Sequence, residues 1–297
     1  MVDTILVTGA TGTVGSEVIK QLISSPHTSN FNIKAAVHSQ ESGNRVAAEM
    51  RVKPVQIDYN KPDTIEEAFK DVDRLFLLTP FQSNMVELSA NLVNVAKKKK
   101  TGAVKHIVKL SVMGADAEPG ITGGRLHRQA ENIIEESGIS YTFLRPNFFM
   151  QNFINFFSQT IKEQDAFYVP VGDGKVSFVD VRDIAGVAVQ ALLNESKHGR
   201  KAYNITGPNA ISYAQAAEIL SNEIGRKIKY VDISEDQARE GMKAIGMDEW
   251  FINSMMELFS ITRAGYVSDV SPAIEEVTGK KPITFSEFAK DYSRDFK

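Results

Sequence analysis

Cysteine is absent from the 297 residues, which removes disulfides, thiolate nucleophiles and cysteine-based zinc or iron–sulfur sites together. Any redox chemistry must then be carried by a bound cofactor. Histidine is scarce as well: the five, at positions 27, 38, 106, 127 and 198, include no i, i+4 pair, so no metal site is expected. A run of the roughly 20 apolar residues needed to cross a bilayer is also missing. The most apolar stretch, Phe143 to Phe157, is interrupted by Arg145, Pro146, Asn147, Gln151, Asn152 and Asn155. Basic residues are not in excess: 34 Lys and Arg against 37 Asp and Glu leave a net charge of −3, which gives no pull on nucleic acid or anionic lipid. No export signal is visible before the first apolar segment. The expectation is a cytoplasmic monomer or homodimer that handles a small-molecule substrate, with no membrane or nucleic-acid partner.

What is present is a regular alternation. Short β-branched runs at Thr4 to Thr8, Ile33 to Val37, Pro54 to Ile57, Arg74 to Leu78, His106 to Leu110 and Tyr141 to Leu144 alternate with helical patterns at Gly15 to Ile23, Ile65 to Phe69, Asn84 to Lys97 and Leu126 to Glu136. This is the signature of βαβ units. After Arg145 the pattern loosens into a helix around Phe148 to Ile161, a helix from Val181 to Leu193, a strand at Lys201 to Ile205 and helical stretches at Ser212 to Ile224, Ser234 to Ile245 and Phe285 to Tyr292. The fold class expected is α/β: a Rossmann-type parallel sheet with helices on both faces, and a smaller, mainly helical C-terminal substrate lobe. The sheet domain spans 1–147, with 176–206 returning to it; the lobe takes 148–175 and 207–297. The lysine tract 97–100 reads as the solvated end of a helix.

The first βα junction carries the clearest chemistry. In Thr8-Gly9-Ala10-Thr11-Gly12-Thr13-Val14-Gly15, three glycines stand between a buried strand and an amphipathic helix, as a dinucleotide loop requires. Gly9 permits a sharp turn, Gly12 lets backbone approach a pyrophosphate and Gly15 allows close helix–strand contact. The amides of the helix start face the anion, with Thr11, Thr13 and Val14 beside it. At the end of the second strand no acid is present at the tip. His38, Ser39 and Arg45 are available to a 2′-phosphate, so NADP(H) is preferred, and Glu41 keeps NAD(H) open. Asp58 and Tyr59 are placed to flank adenine, and Thr79 and Pro80 lie where ligands of open α/β sheets sit; an acidic loop cap and a proline-closed turn account for the same residues equally well.

These residues resemble the NmrA-like, atypical branch of the short-chain dehydrogenase/reductase superfamily. The loop Gly9 to Gly15, Leu110 to Gly114, His127 to Glu131, Ser137 to Pro146 and Phe178 to Ala185 carry the resemblance over nearly the whole chain. It implies a nicotinamide-dependent reductase of quinones or similar conjugated acceptors, with a nucleotide-sensing regulator as the family's other role. The superfamily's usual catalytic Tyr and Lys are missing: their positions fall on Gly123 and His127. Ketone reduction and sugar-nucleotide epimerisation, which want that tyrosine, are therefore disfavoured.

Two groups remain as catalytic candidates: Ser111, which either hydrogen-bonds a substrate oxygen or simply ends the fifth strand, and His127, which either exchanges a proton, bonds the nicotinamide ribose or is a structural helix histidine. A quinone that accepts hydride becomes an aromatic hydroquinone anion, which water can protonate, so the missing phenol costs least there. Phe81, Phe149, Asn152 and Tyr168 are the candidate substrate-lining residues, although aromatic residues at helical spacing in Asn147 to Phe157 are also read as core packing. Arg145 and Asp183 are expected to make structural bonds. The alternative reading is a non-catalytic NADP(H) sensor that acts through a protein partner.

Overall fold

A computed structural model describes residues 2–28, 31–50, 52–98 and 104–297. Lys99 and Lys100 of the lysine tract lie outside these residues. The strands and helices of the first half are β1 (Asp3–Val7), α1 (Thr13–Ser24), β2 (Phe31–Val37), α2 (Gln40–Met50), β3 (Lys53–Gln56), α3 (Pro62–Ala68), β4 (Arg74–Leu77) and α4 (Met85–Ala96). Then come β5 (His106–Leu110), α5 (Thr122–Glu136), β6 (Ser140–Pro146), α6 (Ser158–Gln164), β7 (Ala166–Val169), β8 (Lys175–Val176) and α7 (Val181–Leu193). The remainder is α8 (Glu195–His198), β9 (Lys201–Ile205), β10 (Ile211–Ser212), α9 (Tyr213–Ile224), β11 (Lys229–Asp232), α10 (Glu235–Ala244), α11 (Glu249–Arg263), α12 (Ala273–Thr278) and α13 (Phe285–Asp291).

Among the described residues, seven strands form one sheet in the order β3-β2-β1-β4-β5-β6-β9, and the pairs from β3 through β6 are parallel. The order reverses between β1 and β4, which puts a crevice beyond their carboxyl ends, the place where doubly wound sheets bind ligands. Thr8 ties the two strands there: its hydroxyl accepts from the Leu78 amide at 2.7 Å and lies within donating distance of the Phe76 and Leu78 carbonyls. Buried apolar side chains such as Leu6, Leu75, Leu77, Ile107 and Phe143 pack one face of the sheet against α3, α4 and α5.

The chain divides into two compact units. The first comprises 1–116, 123–145 and 184–203; the second comprises 117–122, 146–183 and 204–297. Within the second, β7 pairs with β11 in parallel and β8 with β10 antiparallel. Helices α9, α10 and α13 each start at a capping box, Ser212 with Gln215, Ser234 with Gln237 and Thr284 with Glu287. Each box satisfies backbone donors that have no partner inside the helix.

Two expectations about local structure need correction. No helix was expected over 40–50, yet α2 forms there, with Ser39 as its cap: the Ser39 hydroxyl accepts from the Ser42 amide at 3.2 Å. Its sequence hides it, because only Gly43 and Val46 are buried, too few for a visible apolar stripe. The helix expected around Phe148 to Ile161 starts late. Phe149 instead bridges to Val179 in extended pairing, and Gln151 is bound to both Asp180 and the Val181 amide at 3.0 Å. Helical geometry resumes as a π-helical turn over Phe153–Phe157, which runs into α6.

Candidate functional site

The glycine loop has the form that its sequence implies. Gly9 has φ +64°, and a Cβ there would come within 2.8 Å of the Leu78 side chain. A Cβ on Gly15 would stand 2.2 Å from the Gly9 carbonyl oxygen, so no other residue fits while the loop keeps its shape. The Gly12 amide donates to the same carbonyl at 2.9 Å, closing the turn. Gly12 caps α1 with no side-chain bond, leaving the backbone donors of the helix start directed at whatever the loop holds. Thr11, Gly12 and Thr13 are exposed, whereas the Val14 side chain is buried, so Val14 has only its backbone to offer. This cradle fits the diphosphate of a dinucleotide.

Beyond β2, His38, Ser39 and Arg45 are all exposed. The Ser39 hydroxyl already caps α2 and lies 3.0 Å from the Ser42 hydroxyl. Tyr59, expected beside adenine, is 5% exposed, belongs to the apolar core, and stands T-shaped to His38 with ring centroids 5.5 Å apart. Burial pushes its phenol up to about 12. Asp58 is committed to its own turn, accepting from the Asn60 amide at 3.0 Å and pairing with Lys61 at 3.1 Å. Those bonds, the amide's first, hold its carboxyl below the ordinary range. Thr79 is buried, with its hydroxyl 3.4 Å from that of Ser89, and Pro80 is exposed. The ring of Phe81 lies 3.5 Å from where a Gly123 Cβ would be. Gly123 is therefore flanked by a phenyl ring.

Ser111, a candidate to hydrogen-bond a substrate oxygen, has its hydrogen committed within the protein. It is 2% exposed and gives its hydrogen to Glu131 at 2.6 Å. Glu131 is fully buried and also receives Arg145 at 3.0 and 2.7 Å and Arg128 at 3.0 Å. Burial alone would raise its carboxyl, but the bonds from Arg145 and Ser111 outweigh that and hold it below the ordinary value. Arg145 pairs further with Asp116, and Asp183 accepts from the Ile283 amide at 2.8 Å; both make structural bonds.

His127 stands elsewhere, partly exposed on α5, with Nδ1 3.0 Å from the Nζ of Lys109. Lys109 escaped notice in the sequence. It is fully buried at the end of β5, and Nζ also donates to the Leu110 carbonyl at 2.9 Å. Burial brings its ammonium down to about 7, and burial with the neighbouring lysine holds the imidazole well below the usual histidine range.

The second unit contains a cavity of about 420 Å³, within the range of small-molecule sites, whose walls include Asn152, Tyr168, Phe156, Tyr213, Met255 and Phe259. No charged side chain lines it. Asn152 and Tyr168 line this cavity, with the Tyr168 hydroxyl donating to Gln164 at 2.7 Å. Phe149 is corrected: it does not line the cavity, because its extended pairing turns the neighbouring Phe148 to that side instead. The opposite wall, supplied by α10 and α11, was missed. Its signal was the spacing of Phe251, Met255, Leu258 and Phe259, an i, i+4, i+7, i+8 stripe. Among the described residues no group of three or more His, Asp or Glu is arranged to hold a metal ion, and no helix is long and apolar enough to cross a membrane.

A parallel sheet whose first junction is a glycine cradle opening onto the switch point defines a Rossmann-type dinucleotide-binding protein. Within that class the chain belongs to the NmrA-like family, whose model matches residues 1–289. It is 38% identical to the NAD(P)H azoreductase of Xenophilus azovorans over 295 residues, covering 98% of this chain and 99% of that one. The NADPH-dependent quinone oxidoreductase of Escherichia coli, solved with NADPH, superposes with a TM-score of 0.83 at 26% identity, covering 97% and 99% of the two chains. The triphenylmethane reductase of Citrobacter sp., solved with NADP(H), gives 0.83 at 28% identity with the same coverage. The family resemblance drawn from the motifs is thus borne out.

Proposed function

We propose that this protein is an NAD(P)H-dependent reductase that delivers hydride to a flat, conjugated acceptor such as a quinone, an azo compound or an aromatic dye. The observation that carries this reading is the uncharged cavity of aromatic and methionine side chains in the second unit. Such walls favour planar apolar molecules and offer no cation to a phosphate or carboxylate. The relatives named above act on acceptors of this kind. Bound NADPH supplies the hydride, and what the protein adds is position. The glycine cradle holds the diphosphate, while the aromatic walls orient the acceptor and exclude water. Alignment alone removes a large share of the barrier to such a transfer. No strong acid is needed, because reduction of a quinone leaves an anion that water protonates.

The test is anaerobic oxidation of NADPH and NADH, followed at 340 nm, with quinones, azo dyes, triphenylmethane dyes and simple ketones. Saturable turnover with the conjugated acceptors is expected. Turnover of ketones alone would overturn the reading, and tight NADPH binding without turnover would replace it with the sensor. Met255→Trp, which fills part of the cavity, is expected to lower kcat/KM for the bulkiest acceptor at least tenfold while leaving NADPH affinity unchanged.

His38, Ser39 and Arg45 are proposed as the 2′-phosphate partners. A charge-assisted bond from Arg45 predicts that Arg45→Ala weakens NADPH about tenfold and leaves NADH unaffected. Calorimetric titration of both cofactors checks this. Equal losses would remove Arg45 from that role.

A further inference from the structure

The standard lysine of the superfamily's catalytic helix is missing, yet a buried lysine is present beside the histidine that replaced it. Lys109 reaches this point from the sheet. Its Nζ lies 3.0 Å from His127 Nδ1 and 2.9 Å from the Leu110 carbonyl oxygen. Both contacts run the same way, since an ammonium has only hydrogens to give, so Nδ1 must accept. A neutral imidazole that accepts at one nitrogen carries its hydrogen on the other.

We propose that Lys109 is a positioning residue, which by donating to Nδ1 holds His127 neutral with its one proton on Nε2, a fixed hydrogen-bond donor to an oxygen of the bound dinucleotide or acceptor. His127 is partly exposed, and no bond from Nε2 to protein is formed among the described residues. Two cations cannot share a 3 Å contact in a buried setting, so the pair holds a single extra proton and it resides on the amine. The charged group facing the pair from α5 is Glu131, whose carboxylate is already engaged by Arg128 and Arg145. An imidazolium at this place would carry positive charge toward the substrate. The neutral tautomer offers only a hydrogen, which steadies a developing oxyanion.

The ligand half of this inference rests on the reductase reading; the tautomer half does not. ¹⁵N NMR of selectively labelled histidine on the unliganded protein tests the latter. Below about pH 7, where Lys109 keeps its ammonium, His127 is expected to show a protonated Nε2 and an unprotonated Nδ1, with no titration step of its own between pH 5.5 and 6.5. In Lys109→Met it is expected to regain a step near the ordinary histidine value of about 6.5. A wild-type His127 that titrates near that value, or carries its proton on Nδ1, overturns the proposal, and the wild-type spectrum decides this even if the variant fails to fold. For the ligand half, Lys109→Met is expected to lower kcat about tenfold with little change in the acceptor KM, and the Nε2 resonance is expected to shift when NADPH is added. A fixed tautomer in a protein that turns over no acceptor would uphold the lysine's role while rejecting the reductase.

Discussion

Gly15→Ala should abolish tight dinucleotide binding, with at least a hundredfold loss of NADPH affinity. The new methyl would stand 2.2 Å from the Gly9 carbonyl oxygen, 2.7 Å from its carbon and 3.1 Å from the Ala10 nitrogen. All three are backbone atoms, so relief requires the loop itself to move. That movement opens the turn closed by the Gly12 amide and turns the donors of α1 away from the anion. Overpacking of this kind typically costs about 1–3 kcal/mol of stability, and a hundredfold in affinity is about 2.7 kcal/mol. Gly12→Ala is the control: its methyl would stop 3.3 Å from the same oxygen, so the fold survives with a nearly unchanged Tm. Thermal denaturation with and without NADPH, together with fluorescence titration, measures both. Unaltered binding by the Gly15 variant would contradict the cradle.

Arg145→Met should produce the largest loss of stability away from the loop, about 3 kcal/mol in urea denaturation at pH 7. Removing one partner of a buried ion pair leaves the other charge uncompensated. Glu131 would keep only Ser111 and the partly exposed Arg128. The pH dependence has a definite sign. In the folded protein the Glu131 carboxyl lies below its ordinary value of 4.5, so between the two values the unfolded chain binds more protons and stability rises with pH. The contribution is therefore complete above about pH 4.5 and is lost as pH falls through the folded value. In Arg145→Met the carboxyl moves upward, so acid destabilisation should begin at a higher pH than in the wild type. Parallel onset in the two proteins would show that Arg145 does not govern this carboxylate.

The parts of the molecule that could be read in advance are those encoded by neighbours in sequence. Alternating β-branched runs gave β1 to β6, three glycines at a single junction gave the cradle, and Ser212 announced α9. The parts that escaped depend on residues brought together from afar. Lys109 sits in a strand whose pattern allows either face, and nothing local reveals that its amine ends beside His127, 18 residues later. Ser111 was taken as reactive because the sequence does not show Glu131 waiting beneath it. Tyr59 was read as flanking adenine because the sequence does not show that its side chain lies in the apolar core. Much of the cavity wall comes from α10 and α11, far along the chain from the aromatic segment Asn147 to Phe157 that lines another part of it.

The uncharged cavity has one more consequence. A wall of rings and thioethers distinguishes molecules by bulk and contour, and each misplaced methylene costs a guest only about 1–3 kcal/mol. Rejection of near neighbours on the scale achieved by paired polar groups is out of its reach. Selectivity then passes from recognition to reactivity, with whichever admitted compound is the better electron sink being reduced first. With the acceptor in this cavity, as proposed, a single side-chain exchange on α10 or α11 would redraw the range of guests while the cradle, built from other residues, stays as it is.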